Sequence, residues 1–203
     1  MIGIVDLGSG NVGSLSNALS FCGHTPDICR DPRKINSYEK AILPGVGAFG
    51  AFADKIRSSG WSDELIIFCE SKKPFLGICV GMQVLMQQSA EAPDACGLSL
   101  IKGTVNRLDI KQVQKLPHVG WNNVDFIKQH PVFEGIPPSS DFYFTHSYFC
   151  DPNNGENLLA TTDYFQKFAS VVGHENLIGV QFHPEKSQTP GMKLLRNFCD
   201  WRP

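Results

Sequence analysis

The chain is expected to fold as one α/β domain built on a doubly wound, mostly parallel sheet flanked by helices, with extra antiparallel strands in its second half. Three observations predict this. From Met1 to about Ala90, short apolar runs alternate with helix-like stretches at the spacing of strand-turn-helix units. Beyond that point strand-like runs follow one another, separated by Asn, Gly and Pro clusters, the texture of antiparallel strands added to a parallel sheet. No repeat, low-complexity tract or long polar linker interrupts the chain, so a single domain is expected over residues 1–203.

Each element has its own signal. Met1–Leu7 is an apolar run of strand length, and 14–23 (SLSNALSFCG) has a helical pattern stopped by Gly23. Thr25–Cys29 reads as a short second strand. Lys40–Pro44 (KAILP) reads as a buried strand ending in a glycine-rich turn. Ala51–Ser58 and Ser62–Lys72 are helix-like, Phe75–Cys79 (FLGIC) is another buried strand, and Met82–Gln88 looks helical. Ile101–Leu108, Val119–Phe126, Asp141–Cys150, Leu158–Thr161, Lys167–Val172 and Leu177–Phe182 read as strands, and Met192–Trp201 as a closing helix.

Composition removes several function classes. Lys and Arg total 18 against 20 Asp and Glu, a net charge of -2, so no basic nucleic-acid footprint is expected. No apolar run approaches membrane-spanning length, and the MIGIVDLG start lacks a signal-like basic segment, so a cytoplasmic setting is expected. The seven cysteines are odd in number and include no CxxC pair, which argues against zinc ribbons and for free thiols. One of those thiols can be chemical.

Glycine-rich patterns tempt toward a cofactor. Gly8-Ser9-Gly10-Asn11-Val12-Gly13 matches the dinucleotide fingerprint G-x-G-x-x-G, with Asp27 and Asp31 near the distance of a ribose-binding acid. A dinucleotide-binding module using Gly8, Gly10 and Gly13 is therefore a rival reading. But Gly45-Val46-Gly47-Ala48-Phe49-Gly50 matches equally well, so a tight turn where backbone packs closely is the simpler account of both. His24, His130 and His174 have no chemical company in the sequence.

Gly77-Ile78-Cys79-Val80-Gly81 is different. It is G-x-C-x-G between an apolar strand and a helix, the thiol form of a nucleophile elbow. Such a turn lifts its central side chain to the carboxyl end of the sheet, beside free N–H groups that favour a thiolate. A thiol nucleophile needs a base and a group to orient it. In 180–187 (VQFHPEKS), His183 and Glu185 are two residues apart and project the same way in extended chain, with Pro184 keeping His183 out of helix. Backbone N–H groups of Gly45, Val46 and Gly47, with that of Val80, would supply an oxyanion hole.

These segments also carry a resemblance. LPGVGAF, LGICVGMQ and GVQFHPEKS together resemble the triad (class I) glutamine amidotransferases, and LPHVGWN and FYFTHSY narrow this to glutaminase subunits of imidazole glycerol phosphate synthases and their close paralogues. The resemblance runs from IVDLGSGN to LLRNF and implies a flavodoxin-like sheet. It implies that Cys79 attacks the side-chain amide of L-glutamine, that His183 protonates departing ammonia and later activates water, and that Glu185 orients His183. Gln83, Thr145, His146 and Ser147 would contact bound glutamine, His146 through its backbone. Ammonia would pass to a (β/α)8 cyclase subunit that makes imidazole glycerol phosphate and aminoimidazole carboxamide ribonucleotide in histidine biosynthesis. Asn11, Trp121, Tyr143 and Lys186 would face that partner in a heterodimer. No cofactor and no metal are implied. A flip of the Gly45–Gly50 turn is expected to gate activity.

The sequence departs from the family in small ways. DLGSGNVGSL lacks the commoner Tyr after Asp6, and Val80 and Val119 stand where Leu, Ile or Met are commoner. None touches the chemistry. They leave a paralogous alternative, an amidotransferase subunit supplying ammonia for amination of a nucleotide sugar in surface-polysaccharide synthesis, because the glutaminase half never contacts the acceptor.

Overall fold

The computed structural model describes residues 1–8, 10–109, 111 and 115–203. The parallel half begins with β1 (Ile2–Val5), α1 (Val12–Phe21) and β2 (Pro26–Cys29). It continues through β3 (Lys40–Gly45), α2 (Phe49–Ser58), α3 (Trp61–Glu70), β4 (Phe75–Cys79) and the single turn α4 (Val80–Gln83). The second half runs β5 (Gln88–Ser89), β6 (Gly103–Arg107), β7 (His118–Phe126), β8 (Ser140–His146) and β9 (Tyr148–Pro152). It closes with β10 (Leu158–Asp163), β11 (Lys167–His174), β12 (Leu177–Val180) and α5 (Gln188–Asp200).

The strands join in the order β2-β1-β3-β4-β12-β11-β10-β7-β8, with β9 branching from β11 and carrying β6 and then β5. The pairs from β2 through β12 are parallel, which is the doubly wound, flavodoxin-like core. Everything beyond β12 is antiparallel except the short β5–β6 pair. Right-handed crossovers that step outward in opposite directions from β1 put α1 on one face and α2 and α3 on the other. α5 returns to pack on α1. The core strands are buried along their whole length, as strands covered on both faces must be: Ile2–Val5, Lys40–Gly45, Phe75–Cys79 and Leu177–Val180 have no exposed member. One cluster of buried side chains extends from Ile2 to Trp201.

Two expected elements differ. The helix expected over Met82–Gln88 stops after one turn. The carbonyls of Val84, Leu85, Met86 and Gln87 instead accept N–H groups of Leu98, Ile101, Ser99 and Gly97, so tertiary pairing overrides local propensity. The long strand expected over Asp141–Cys150 is two strands that break at Ser147. β8 pairs with β7 while β9 leaves to pair with β6 and β11. That break forms one wall of the site.

Candidate active site

Parallel register assembles the site at the carboxyl ends of three adjacent strands. Gly45, at the end of β3, is aligned with Cys79 at the end of β4. On the other side of β4, Val180 of β12 is aligned with Ile78, and the chain continues into Gln181 and His183. Segments distant in sequence are thus adjacent by sheet order, at the end of an α/β sheet where ligands are usually bound.

Cys79 has φ 55° and ψ -112°, a conformation that L side chains rarely adopt, and is 4% exposed. The glycines around it have definite reasons. A Cβ on Gly81 would sit 1.9 Å from the Leu43 carbonyl oxygen, and one on Gly77 would sit 2.5 Å from the Gly81 oxygen. The elbow can close against β3 only if both positions lack side chains.

His183 Nδ1 is 3.0 Å from Glu185 Oε1, and both side chains are 3% exposed. No nitrogen or oxygen closes on His183 Nε2, which leaves that atom to the Cys79 sulfur. Burial disfavours charge on the ring, but hydrogen bonding to Cys79 and then to Glu185 outweighs it and pushes the His183 pKa up to about 9. The direction of the shift favours the protonated ring at this site.

A cavity of about 300 Å³ opens on these groups, at the lower end of the usual size for small-molecule sites. Val46, Gly47, Cys79, Val80, Gln83, Thr145, His146, Ser147 and His183 all line it. Gly45 lies one step below, backed by the Gly81 amide and the Phe52 ring. Gly47 has φ 100° with open space around it, so glycine serves backbone conformation there. Both N–H donors of Gln83 are engaged inside the protein, with the Tyr148 carbonyl and Gln181 Oε1, each at 3.1 Å. Any contact it makes with a ligand is as an acceptor, through Oε1.

Two further residues belong to this site without a motif to mark them. Gln181 is fully buried, and its Nε2 lies 3.8 Å from Cys79 Sγ. Its place two residues before His183 in extended chain is the signal that could have found it. Glu91 also lines the cavity and, among the described residues, is the one acid in its lining. One oxygen, Oε2, accepts the Phe49 N–H at 2.7 Å, at the start of α2 where Ala48 provides no side-chain cap. No sequence pattern marks Glu91.

The four residues expected to face a partner divide. Trp121 is 47% exposed, its ring lies 6.0 Å from Tyr143 in an edge-on arrangement, and Lys186 Nζ sits 5.5 Å over the Tyr143 ring. Tyr143 is tied to the site, since its carbonyl accepts the His183 N–H and its N–H donates to Ser187 Oγ. Asn11 stands apart as the N-terminal flank of α1, without a side-chain cap bond. The dinucleotide reading finds no support: Asp27 accepts from the Tyr38 hydroxyl and Asp31 pairs with Arg33, so both candidate ribose acids are engaged. Ser9 of that motif lies outside the described residues.

Comparison with known proteins agrees with this geometry. The class-I glutamine amidotransferase family model matches residues 3–201. The imidazole glycerol phosphate synthase subunit HisH of Sulfurimonas denitrificans is 43% identical, with 100% of this chain and 99% of the relative covered. The subunit of the same name from Pyrococcus furiosus is 46% identical, with 97% of each covered. Among solved structures, a glutamine amidotransferase superposes with a TM-score of 0.77 at 20% identity, over 98% of this chain and 97% of that one, a likeness of fold. The chain belongs to the class-I glutamine amidotransferase family, alongside the HisH subunits of imidazole glycerol phosphate synthase.

Proposed function

We propose that the chain is the glutaminase subunit of an imidazole glycerol phosphate synthase. It hydrolyses L-glutamine to glutamate and ammonia, and the ammonia passes to a (β/α)8 cyclase subunit that builds imidazole glycerol phosphate and aminoimidazole carboxamide ribonucleotide. The observation that carries this reading is Cys79 on a strained elbow, opening on a cavity it shares with His183, whose ring is paired to buried Glu185.

Cys79 attacks the side-chain amide carbon, and the oxyanion is met by backbone N–H groups of the Gly45–Gly47 turn and of Val80. His183 gives its proton to departing ammonia, leaving a γ-glutamyl thioester on Cys79. The ring then draws a proton from water that attacks the thioester, and glutamate leaves. Glu185 holds the imidazole in place through Nδ1. Gln83 Oε1 and the Glu91 carboxylate are suited to the substrate's α-ammonium group, and the Thr145–Ser147 edge lies where its carboxylate would rest. A rearrangement at Gly47 would switch the oxyanion donors.

Released ammonia loses its nucleophilicity on protonation in water, so it is best passed on through a shielded path. The face carrying Trp121, Tyr143 and Lys186 is the docking surface for the cyclase, with Asn11 at the start of α1 as a separate contact. The name shared by the relatives favours the histidine pathway over sugar amination. Residues 1–203 act as one domain, consistent with a family match that spans 3–201. We place the enzyme in the cytoplasm; among the described residues no helix is long and apolar enough to cross a membrane.

The test is glutamate release by the chain alone, with the cyclase, and with the cyclase plus its ribonucleotide. Strong activation in the last case, and imidazole glycerol phosphate made with glutamine as nitrogen source, are expected. Equal rates in all three, or no product with this cyclase, would refute the reading.

A further inference from the structure

A second pair of histidines lies beside the triad, and their imidazole rings take no part in the mechanism above. His118 of β7 and His146 of β8 face each other across a non-covalent register pair, 3% and 6% exposed. Their hydrogen bonds admit one arrangement of protons. His146 Nδ1 is 2.9 Å from the Tyr148 carbonyl oxygen, which can only accept, so Nδ1 carries the proton. His146 Nε2 is then a lone pair, and His118 Nδ1, 3.0 Å away, must be the donor. His118 Nε2 is in turn a lone pair, which receives Asn122 Nδ2 at 3.3 Å. The Asn122 amide is itself fixed, because its Oδ1 accepts the Asn123 N–H and its Nδ2 also donates to the Asp163 carbonyl.

This series continues to the nucleophile. The Tyr148 carbonyl that receives His146 also receives Gln83 Nε2. Gln83 donates on to Gln181 Oε1, and Gln181 Nε2 reaches Cys79 Sγ. We propose that His118 and His146 are positioning residues for glutamine hydrolysis, two neutral imidazoles of fixed tautomer that hold the Tyr148 carbonyl and, through Gln83, the Gln181 amide that faces Cys79. This role rests on the glutaminase reading.

The surroundings suit neutral rings. Phe144 and Tyr164 stack on His118 at 4.9 and 4.0 Å, and Phe168 packs edge-on to it and tilted against His146. Burial pushes the His118 pKa down to about 4, and burial with repulsion from His118 and the charged His183 pushes that of His146 down to about 3. A neutral imidazole is a donor on one side and an acceptor on the other, so it passes a fixed orientation across its ring. The break at Ser147 lies between the two partners: His146 ends β8, and the Tyr148 carbonyl it meets opens β9.

Two measurements test the proposal together. On the full-length chain with 15N-labelled histidine, long-range proton–nitrogen correlation should find both rings neutral, with Nδ1–H and a bare Nε2, between about pH 6 and 8. An Nε2–H tautomer or a charged ring at either position would overturn it. In the activated complex with the cyclase, His118→Phe should lower kcat for glutamate release by about tenfold with KM changed less than about threefold, and His118→Asn, which restores a donor at the Nδ1 position, should recover most of it. A packing role predicts the reverse order, because Phe refills the stacked ring's volume and Asn leaves a gap. Wild-type rates in His118→Phe, or Asn no better than Phe, would sink the proposal. A wild-type complex that releases no glutamate would remove the glutaminase reading and this role with it, while the spectrum would still decide whether the proton order exists.

Discussion

Replacing Glu185 by Gln removes one buried charge from the triad and leaves its shape. The amide oxygen can still accept from His183 Nδ1, now at a site where the carboxylate stood 3.0 Å away with both side chains 3% exposed. Raising an imidazole from 6.5 to about 9 corresponds to about 3 kcal/mol of preference for the charged ring. Cys79 and Glu185 both raise it against the opposing effect of burial, and losing one charge-assisted hydrogen bond of this kind is on the order of tenfold in the protonation equilibrium. The sign follows from linkage. A folded pKa above the unfolded value gives stability that is complete below about 6.5 and is lost as pH rises through about 9. E185Q should therefore show its largest stability deficit below about pH 6.5, and the deficit should shrink toward zero above about pH 9. In the activated complex, the alkaline limb of kcat/KM for glutamine should move to lower pH by about one unit. The assays are denaturant unfolding across pH and a pH–rate profile. A deficit independent of pH, together with an unmoved alkaline limb, would refute the reasoning.

Four further outcomes follow from the same geometry. Gly81→Ala drives a Cβ to 1.9 Å from the Leu43 carbonyl, so it should cost at least about 1–3 kcal/mol in thermal unfolding and abolish glutamate release. Gly13→Ala, in a helix with nothing within 4 Å, should be neutral or stabilising by up to about 1 kcal/mol. Glu91→Gln keeps an acceptor for the Phe49 N–H but removes the charge proposed to meet the substrate ammonium, and should raise KM for glutamine by roughly tenfold, about 1.5 kcal/mol, with kcat little changed. Trp121→Ala, at a 47% exposed site, should weaken cyclase binding by about 2 kcal/mol or more in titration calorimetry while stability changes by less than about 0.5 kcal/mol.

The parallel half of the fold was legible because its signals are local. KAILP and FLGIC are buried runs of strand length, and the glycines after them mark turns that close packing requires. The triad was legible for a related reason: Gly77, Cys79 and Gly81 are adjacent, and His183 and Glu185 are two apart, so each half of the chemistry sits within one turn or one extended stretch. Their meeting was not legible, because it depends on β12 entering the sheet beside β4 after a long antiparallel excursion. The same limit hid Glu91, which reaches the cavity from a loop anchored by the Ala90 N–H on the distant Val105 carbonyl, and His118, whose role needs His146 opposite it. The helix expected over Met82–Gln88 failed because those distant N–H groups take the carbonyls that a second turn would need. Of the seven cysteines, Cys79 shares its cavity with His183; burial first and then the Glu70 charge push up the Cys69 thiol, and burial first of all that of Cys150, as suits packing residues.

The central claim is that Cys79 becomes covalently attached to the γ-carbonyl of glutamine. Acid-quenched mass spectrometry of the activated complex during turnover tests it most directly. The account predicts a γ-glutamyl thioester on the peptide that carries Cys79, and neither adduct nor glutamate release in Cys79→Ala with cyclase binding retained. Undiminished glutamate release from Cys79→Ala would contradict it.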